Sequence, residues 1–175
     1  MTGSSRDIIE FTLIYNKHKK KLFNYVLKMI NDQMLTEDIV QNVFLKLYEK
    51  IGTIRNRNSI TYWLFTTARN EIYTIFRNKK VRVDQYNVQD TDDLEINSND
   101  DLEKTFELNE MKEIILKELD TLPEEQREVY YLKEYGEMSY KEIAGIMEID
   151  EGLVKSRLFK TRQKLIKRLS KKVKE

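Results

Sequence analysis

Residues 139–163 read SYKEIAGIMEIDEGLVKSRLFKTRQ, and the fold turns on them. Ser139 followed three residues later by Glu142 is a capping box, in which each side chain satisfies the other's backbone N–H at a helix start. Ile143, Ala144 and Met147 recur at helical spacing and mark the inward face of a short helix. The chain breaks at residues 149–152, where Asp150 suits the N-cap of a second helix. Two helices joined by a tight turn, with small Ala144 at the crossing and Ile149 and Val154 plugging the angle, make a helix-turn-helix. The second helix is expected to show Lys155, Ser156, Arg157, Lys160, Thr161 and Arg162 outward, with Lys164 beyond them. Such a helix fits the major groove, and its early residues reach base edges. Lys164, Lys167, Lys171 and Lys172 suit phosphates, which position a protein without carrying sequence information. About six such contacts give a log–log salt slope of roughly −5. The pattern alone does not separate a DNA reader from an αα-hairpin with a basic tail.

Outward from that stretch the chain stays helical in pattern. Leu158, Leu165 and Leu169 carry the last helix from about Glu151 to the C-terminus. Upstream, Leu108, Met111, Ile115 and Leu119 repeat at helical spacing, and Pro123, the only proline, suits the first turn of the next helix. Residues 84–101, DQYNVQDTDDLEINSNDD, are acidic and poor in large apolar side chains, which reads as a flexible linker. In the first half, Leu22, Tyr25, Val26, Met29 and Ile30 follow one amphipathic stripe, and Ile39, Val43, Phe44 and Leu47 follow a second. Asp32 or Thr36 caps that second helix, and Gly52 ends it. Ser59 suits the cap of a third helix through Trp63, Leu64, Ala68, Ile72 and Phe76. Five glycines and one proline leave little turn chemistry for sheets. The expected fold is all-α: two small helical domains joined by a flexible acidic linker, the second a helix-turn-helix domain. The expected boundaries are residues 1–83, 84–107 and 108–175.

The net charge of +1 conceals a pattern. Residues 1–82 carry +8, 83–110 carry −9, 111–154 carry −7 and 155–175 carry +9. Two basic blocks separated by acid suit two surfaces that meet a polyanion, or two solvated faces. There is no cysteine, which removes disulfides and thiolate metal sites and fits a reducing cytoplasm. The one histidine, His18, sits among lysines and reads as a solvated surface residue. No secretory leader or membrane-spanning run is visible, so no membrane insertion is expected. No catalytic site is expected either. There is no glycine-rich phosphate loop and no histidine paired with a nucleophile. Glu37/Asp38 and Glu124/Glu125 are adjacent carboxylates at helix starts, where they point apart and favour the helix dipole. No cofactor or metal is implied.

Four segments resemble, in order, motifs of the extracytoplasmic-function group of bacterial RNA polymerase sigma factors. Thr36-Glu37-Asp38-Ile39-Val40-Gln41-Asn42-Val43-Phe44 is similar to the alanine-glutamate-aspartate, glutamine, phenylalanine motif. Tyr62-Trp63-Leu64-Phe65-Thr66-Thr67-Ala68-Arg69-Asn70, followed by Arg77, is similar to the tryptophan-leucine, alanine-arginine-asparagine, arginine motif. Leu122-Pro123-Glu124-Glu125-Gln126-Arg127 resembles the opening of the C-terminal domain. Tyr140-Lys141-Glu142-Ile143-Ala144 with Val154-Lys155-Ser156-Arg157-Leu158 resembles its helix-turn-helix.

The resemblance implies partners and roles. Core RNA polymerase would be met at its clamp and flap, with Asp38, Gln41 and Phe44 docking on the clamp. Arg55, Asn56, Arg57 and Asn58, then Trp63, Arg69, Asn70, Tyr73 and Arg77, would hold the minus-ten promoter element, where single-stranded bases leave the stack. Extruded bases need rings, amides and cations, and these residues supply all three; for Trp63 core packing is an equal reading. The helix-turn-helix would read duplex at the minus-thirty-five element, and an anti-sigma factor would hold the protein inactive. A stand-alone helix-turn-helix regulator remains the alternative. The chain departs from the family pattern in four places. Thr36 replaces alanine. Thr74 replaces an aspartate, which removes an ion-pair partner. Leu153 replaces a threonine that would touch DNA. Glu148 replaces the turn glycine, and since a left-handed non-glycine costs about 1 kcal/mol, it points to another turn shape.

Overall fold

A computed structural model describes residues 4–85 and 102–174, with the side chains of 4–80, 108–172 and 174. The expected linker lies largely outside the described residues; its two ends, 84–85 and 102–107, belong to the flanking helices. Among the described residues there are α-helices and short 3₁₀ turns and no strand. The helices are α1 (Ser5–Ile30), α2 (Gln33–Lys50), α3 (Ile60–Gln85), α4 (Leu102–Asp120), α5 (Glu124–Glu134), α6 (Tyr140–Met147) and α7 (Glu151–Val173). Two compact units result, one built on α1 to α3 and the other on α4 to α7.

In the first unit α1 begins much earlier than the stripe from Leu22 indicates. The Asp7 carboxylate accepts from the Ser4 N–H at 3.1 Å and fixes the first turn. Asn31 ends the helix in the left-handed region at φ 56°, and its N–H donates to the Leu27 carbonyl at 2.7 Å. Asp32, not Thr36, caps α2, accepting from the Leu35 N–H at 2.9 Å. Thr36 is buried and its hydroxyl donates to the Asp32 carbonyl at 2.7 Å, so the small hydroxyl serves where an alanine would also fit. A short 3₁₀ turn, Ile51–Thr53, carries Gly52 past the end of α2. Ser59 does not open α3 by the expected cap bond; its hydroxyl donates to the Asn56 carbonyl at 2.6 Å. The core joins Leu22, Tyr25, Val26 and Ile30 to Ile39, Val43, Leu47, Leu64, Phe65, Ala68 and Ile72. His18 departs from its surface assignment: it is only 6 % exposed. It lies four residues before Leu22 and seven before Tyr25, on the same buried stripe.

In the second unit Pro123 stands one position earlier than expected. Its carbonyl accepts from the Gln126 and Arg127 N–H groups at 3.0 Å, so it precedes α5 as the cap residue. The Ser139–Glu142 box forms as the sequence indicates, with bonds of 2.7 and 3.1 Å. Glu148 overturns the expectation of another turn shape. It adopts φ 55°, ψ 43°, the left-handed conformation a glycine would take, because the turn requires it and Glu148 is exposed enough to comply. Asp150 caps α7 by accepting from the Gly152 N–H at 2.8 Å. A Cβ on Gly152 would stand 2.7 Å from the Asp150 carboxylate, so the cap favours glycine there. Val154, Leu158 and Leu165 are buried on one face of α7, which packs on α5 and α6, where Val129, Leu132, Ile143 and Ile146 are buried in turn.

Candidate nucleic-acid interface

On α3 the core residues Leu64, Ala68 and Ile72 take one side. Tyr62, Arg69, Asn70, Tyr73 and Arg77 recur at helical spacing on another side. The Arg69 guanidinium lies 4.6 Å from the Tyr73 ring centre, a stacked cation that stiffens both side chains. Tyr73 meets Phe76 edge to face at 5.7 Å. Thr74 makes hydrogen bonds where an aspartate would make an ion pair: Arg77 Nη2 donates to its hydroxyl at 3.2 Å, and that hydroxyl donates to the Asn70 carbonyl at 2.8 Å. Asn70 is exposed, and Trp63 is half-buried with Lys50 Nζ 5.8 Å from its ring centre. Thr66, one turn from Asn70, keeps a buried hydroxyl with no hydrogen-bond partner; nothing in the sequence pattern singles it out.

Ahead of α3, Arg55, Asn56, Arg57 and Asn58 are all exposed. They do not serve alike. Asn56 accepts from the Asn58 N–H at 3.0 Å and so caps the turn it belongs to. Arg57 pairs with Glu10 of α1 at 2.5 Å. Arg55 enters no ion pair among the described residues.

On α2, Asp38 and Gln41 are exposed, but Phe44 is not. It is 3 % exposed, ringed by Phe11 and Tyr15 at 6.3 and 4.8 Å, both edge to face. The position expected to dock is therefore core, and it sits on the Ile39–Val43–Leu47 stripe that packs inward. Sequence reasoning misses Met34 and Leu45. With Asp38 and Gln41 they form an i, i+4, i+7, i+11 row, Met34 being 78 % exposed.

Thr161 is a second correction. It is fully buried and accepts from Gln126 Nε2 at 3.1 Å, so it faces α5 and not solvent. Arg157 and Arg162 also turn toward α5, pairing with Glu125 and Glu134 at 2.9 and 2.8 Å. The bond to Glu134, with a contact to Tyr140, holds the Arg162 guanidinium protonated beyond even its ordinary range. Lys155 pairs with Glu151 at 3.3 Å. Ser156, Lys160, Lys164, Lys167 and Lys171 are exposed, and no ion pair among the described residues involves these four lysines. Phe159, absent from the sequence-derived set, stands 65 % exposed beside them. Its signal is an aromatic off the apolar period.

Two helical units, the second with a cationic helix-turn-helix, define a two-unit all-α helix-turn-helix protein. The Sigma-70 region 2 family matches residues 14–82, and the Sigma-70, region 4 family matches residues 112–165. The chain is 33 % identical to the ECF RNA polymerase sigma factor SigM of Bacillus subtilis, over 87 % of this chain and 90 % of that one. It is 25 % identical to the RNA polymerase sigma-H factor of Pseudomonas aeruginosa, over 91 % of this chain and 86 % of that one. The fold is that of the sigma factor RpoE solved with the anti-sigma factor NepR from Bartonella quintana: TM-score 0.73, 24 % identity, covering 92 % of this chain and 97 % of that one. The chain belongs to the ECF RNA polymerase sigma factors. Its role is that of an RNA polymerase sigma factor in transcription initiation.

Proposed function

We propose how that role is divided among the residues. The unit of residues 1–83 binds core polymerase through the exposed row Met34, Asp38, Gln41 and Leu45, and holds minus-ten single strand on α3. The unit of residues 108–175 reads minus-thirty-five duplex with α7. Supporting the first assignment is the collection of rings, an amide and two cations on one side of α3, with the core on another side. Flipped bases need stacking planes and hydrogen-bonding edges, while their backbone needs positive charge. Asn70 and the Arg69–Tyr73 stack supply these without leaving their helix. Supporting the second is the lysine row with Ser156 and Phe159. Lysines track phosphate, while a serine and an exposed ring meet base edges and thymine methyl groups.

The factor works by binding and by capturing opened strand, with no catalytic site of its own. It acts in the cytoplasm, where core polymerase and promoter DNA meet. Among the described residues no helix is long and apolar enough to cross a membrane. An anti-sigma factor would hold it inactive; the similar sigma factor RpoE of Bartonella quintana forms a complex with one, NepR. Transcription in vitro from a pool of promoter fragments, with core polymerase and with or without this chain, tests the reading. New start sites sharing two upstream elements support it. Unchanged transcription, with the chain alone shifting duplex DNA, replaces it by a stand-alone regulator.

A further inference from the structure

The cations of α7 fall into two classes by what they touch. Lys160, Lys164, Lys167 and Lys171 lie at i, i+4, i+7 and i+11 and face solvent. The two arginines nearest the start of the helix are tied to α5 instead. Arg157 leaves only 20 % of its side chain exposed, gives Nη2 to Glu125 at 2.9 Å, and keeps Nη1 buried. Arg162 gives Nη2 to Glu134 at 2.8 Å. Between them Thr161 takes its bond from Gln126 at 3.1 Å. The three ties reach from the first turn of α5 to its last residue, since Glu125 and Gln126 open that helix and Glu134 closes it.

With Nη1 buried and Nη2 given to Glu125, Arg157 cannot present the paired Nη donors that a guanine edge takes without leaving its seat, and Arg162 gives one of its donors to Glu134 in the same way. Lysine has no planar fork, and its hydrated point charge suits a phosphate row. We propose that Arg157 and Arg162, with Glu125 and Glu134, are positioning residues. They set the seat of α7 on α5 and so fix where Ser156, Phe159 and Lys160 fall in the groove. They do not touch DNA themselves. The assignment rests on α7 being the duplex reader.

The test uses the full-length chain and two duplexes, one with the upstream element enriched in the transcription pool and one with it scrambled. Affinity for each is followed against salt for wild type, Glu125→Gln, Arg157→Gln and the double variant, with helicity checked at assay temperature. Each single variant is expected to lose discrimination between the duplexes by about tenfold, the size of one misplaced base contact. The double variant should lose no more than either single, and the salt slope should stay as in wild type. A slope shallower by about 0.9 in Arg157→Gln, together with tighter binding by Glu125→Gln, would overturn the proposal and make Arg157 a masked DNA cation. Unchanged discrimination in both singles would overturn it as well. Should Arg157→Gln lose helicity, Arg162→Gln and Glu134→Gln give the same comparison on a more exposed pair. Lys160→Gln/Lys164→Gln runs beside them: an unaltered slope there refutes α7 as the reader, whereas an altered slope with failed arginine results refutes only the positioning role.

Discussion

Replacing Lys160, Lys164 and Lys167 together by glutamine removes three cations that no described ion pair holds. The first and last lie seven residue steps apart on α7, about 10 Å of helix axis at 1.5 Å per residue, within the footprint of a helix lying on a phosphate track. Each phosphate contact contributes about 0.9 to the slope of log affinity against log salt on duplex DNA. Three contacts therefore make the variant's slope shallower by about 2.7. Between about 50 and 200 mM salt, wild type should lose roughly 40-fold more affinity than the variant does. The side chains are exposed, so thermal stability should move by no more than about 0.5 kcal/mol. Fluorescence anisotropy of a labelled duplex, titrated with the full-length chain at several salt concentrations, reads the slope directly. A slope unchanged within its error, with the fold intact, would mean that these lysines are solvated decoration. The duplex face of the second unit would then have to be sought elsewhere.

Three further outcomes follow from the geometry. Asp38→Ala with Gln41→Ala should weaken capture of core polymerase in a pull-down while shifting the melting free energy by only about 0.5 kcal/mol, whereas Phe44→Ala should destabilise the first unit by about 3–5 kcal/mol; equal melting of both would refute the core assignment of Phe44. Thr161→Val, which removes the 3.1 Å bond from Gln126, should lower stability by about 0.5–1.5 kcal/mol and leave the salt slope of DNA binding as it was, and a shallower slope would return Thr161 to the DNA face. Glu148→Gly should relieve about 1–2 kcal/mol of left-handed strain against about 0.4–1 kcal/mol of added unfolded-state entropy, a net gain between about 0 and 1.6 kcal/mol by chemical denaturation; a loss would mean that the glutamate side chain supports the turn.

The helix-turn-helix is legible because its signals are local. A capping box, a capping aspartate and an apolar stripe each act within four residues, and all three stand where the sequence puts them. The sequence misleads where one residue belongs to two patterns. Phe44 fits the core stripe with Val43 and Leu47 and also a docking motif, and the stripe prevails because a ring that packs on Phe11 and Tyr15 buries more apolar area than a surface contact needs. Thr161 sits at i+7 from Val154, i+3 from Leu158 and i−4 from Leu165, all buried, so its inward face is visible in the spacing but masked by the basic residues around it. The lysine run hides His18 in the same way. The first turns of α1 escape the pattern because Ile8, Ile9 and Leu13 are exposed and blur the period. The partners of Arg57, Arg157 and Arg162 lie far away in sequence, and no local rule reaches them.

Those distant partners carry a physical lesson about α7. From sequence its cations look equivalent, ten basic residues in the last twenty-one. Folded, those in the first turns divide by chemistry. The arginines stand at the helix edges, each giving one Nη–H to an acid of α5, and the lysines stand on the open face. Exchanging the two types would place guanidinium groups against phosphate, where they also bind, but would leave the α5 contacts to flexible, strongly hydrated point charges. Partly exposed ion pairs each contribute only about 0–1 kcal/mol, so their value here lies less in stability than in geometry. A recognition helix needs its early side chains placed to within a fraction of a base-pair step, and two bridges at either end of α5 constrain the tilt of α7 in a way that the apolar contacts of Val154, Leu158 and Leu165 alone, being non-directional, do not.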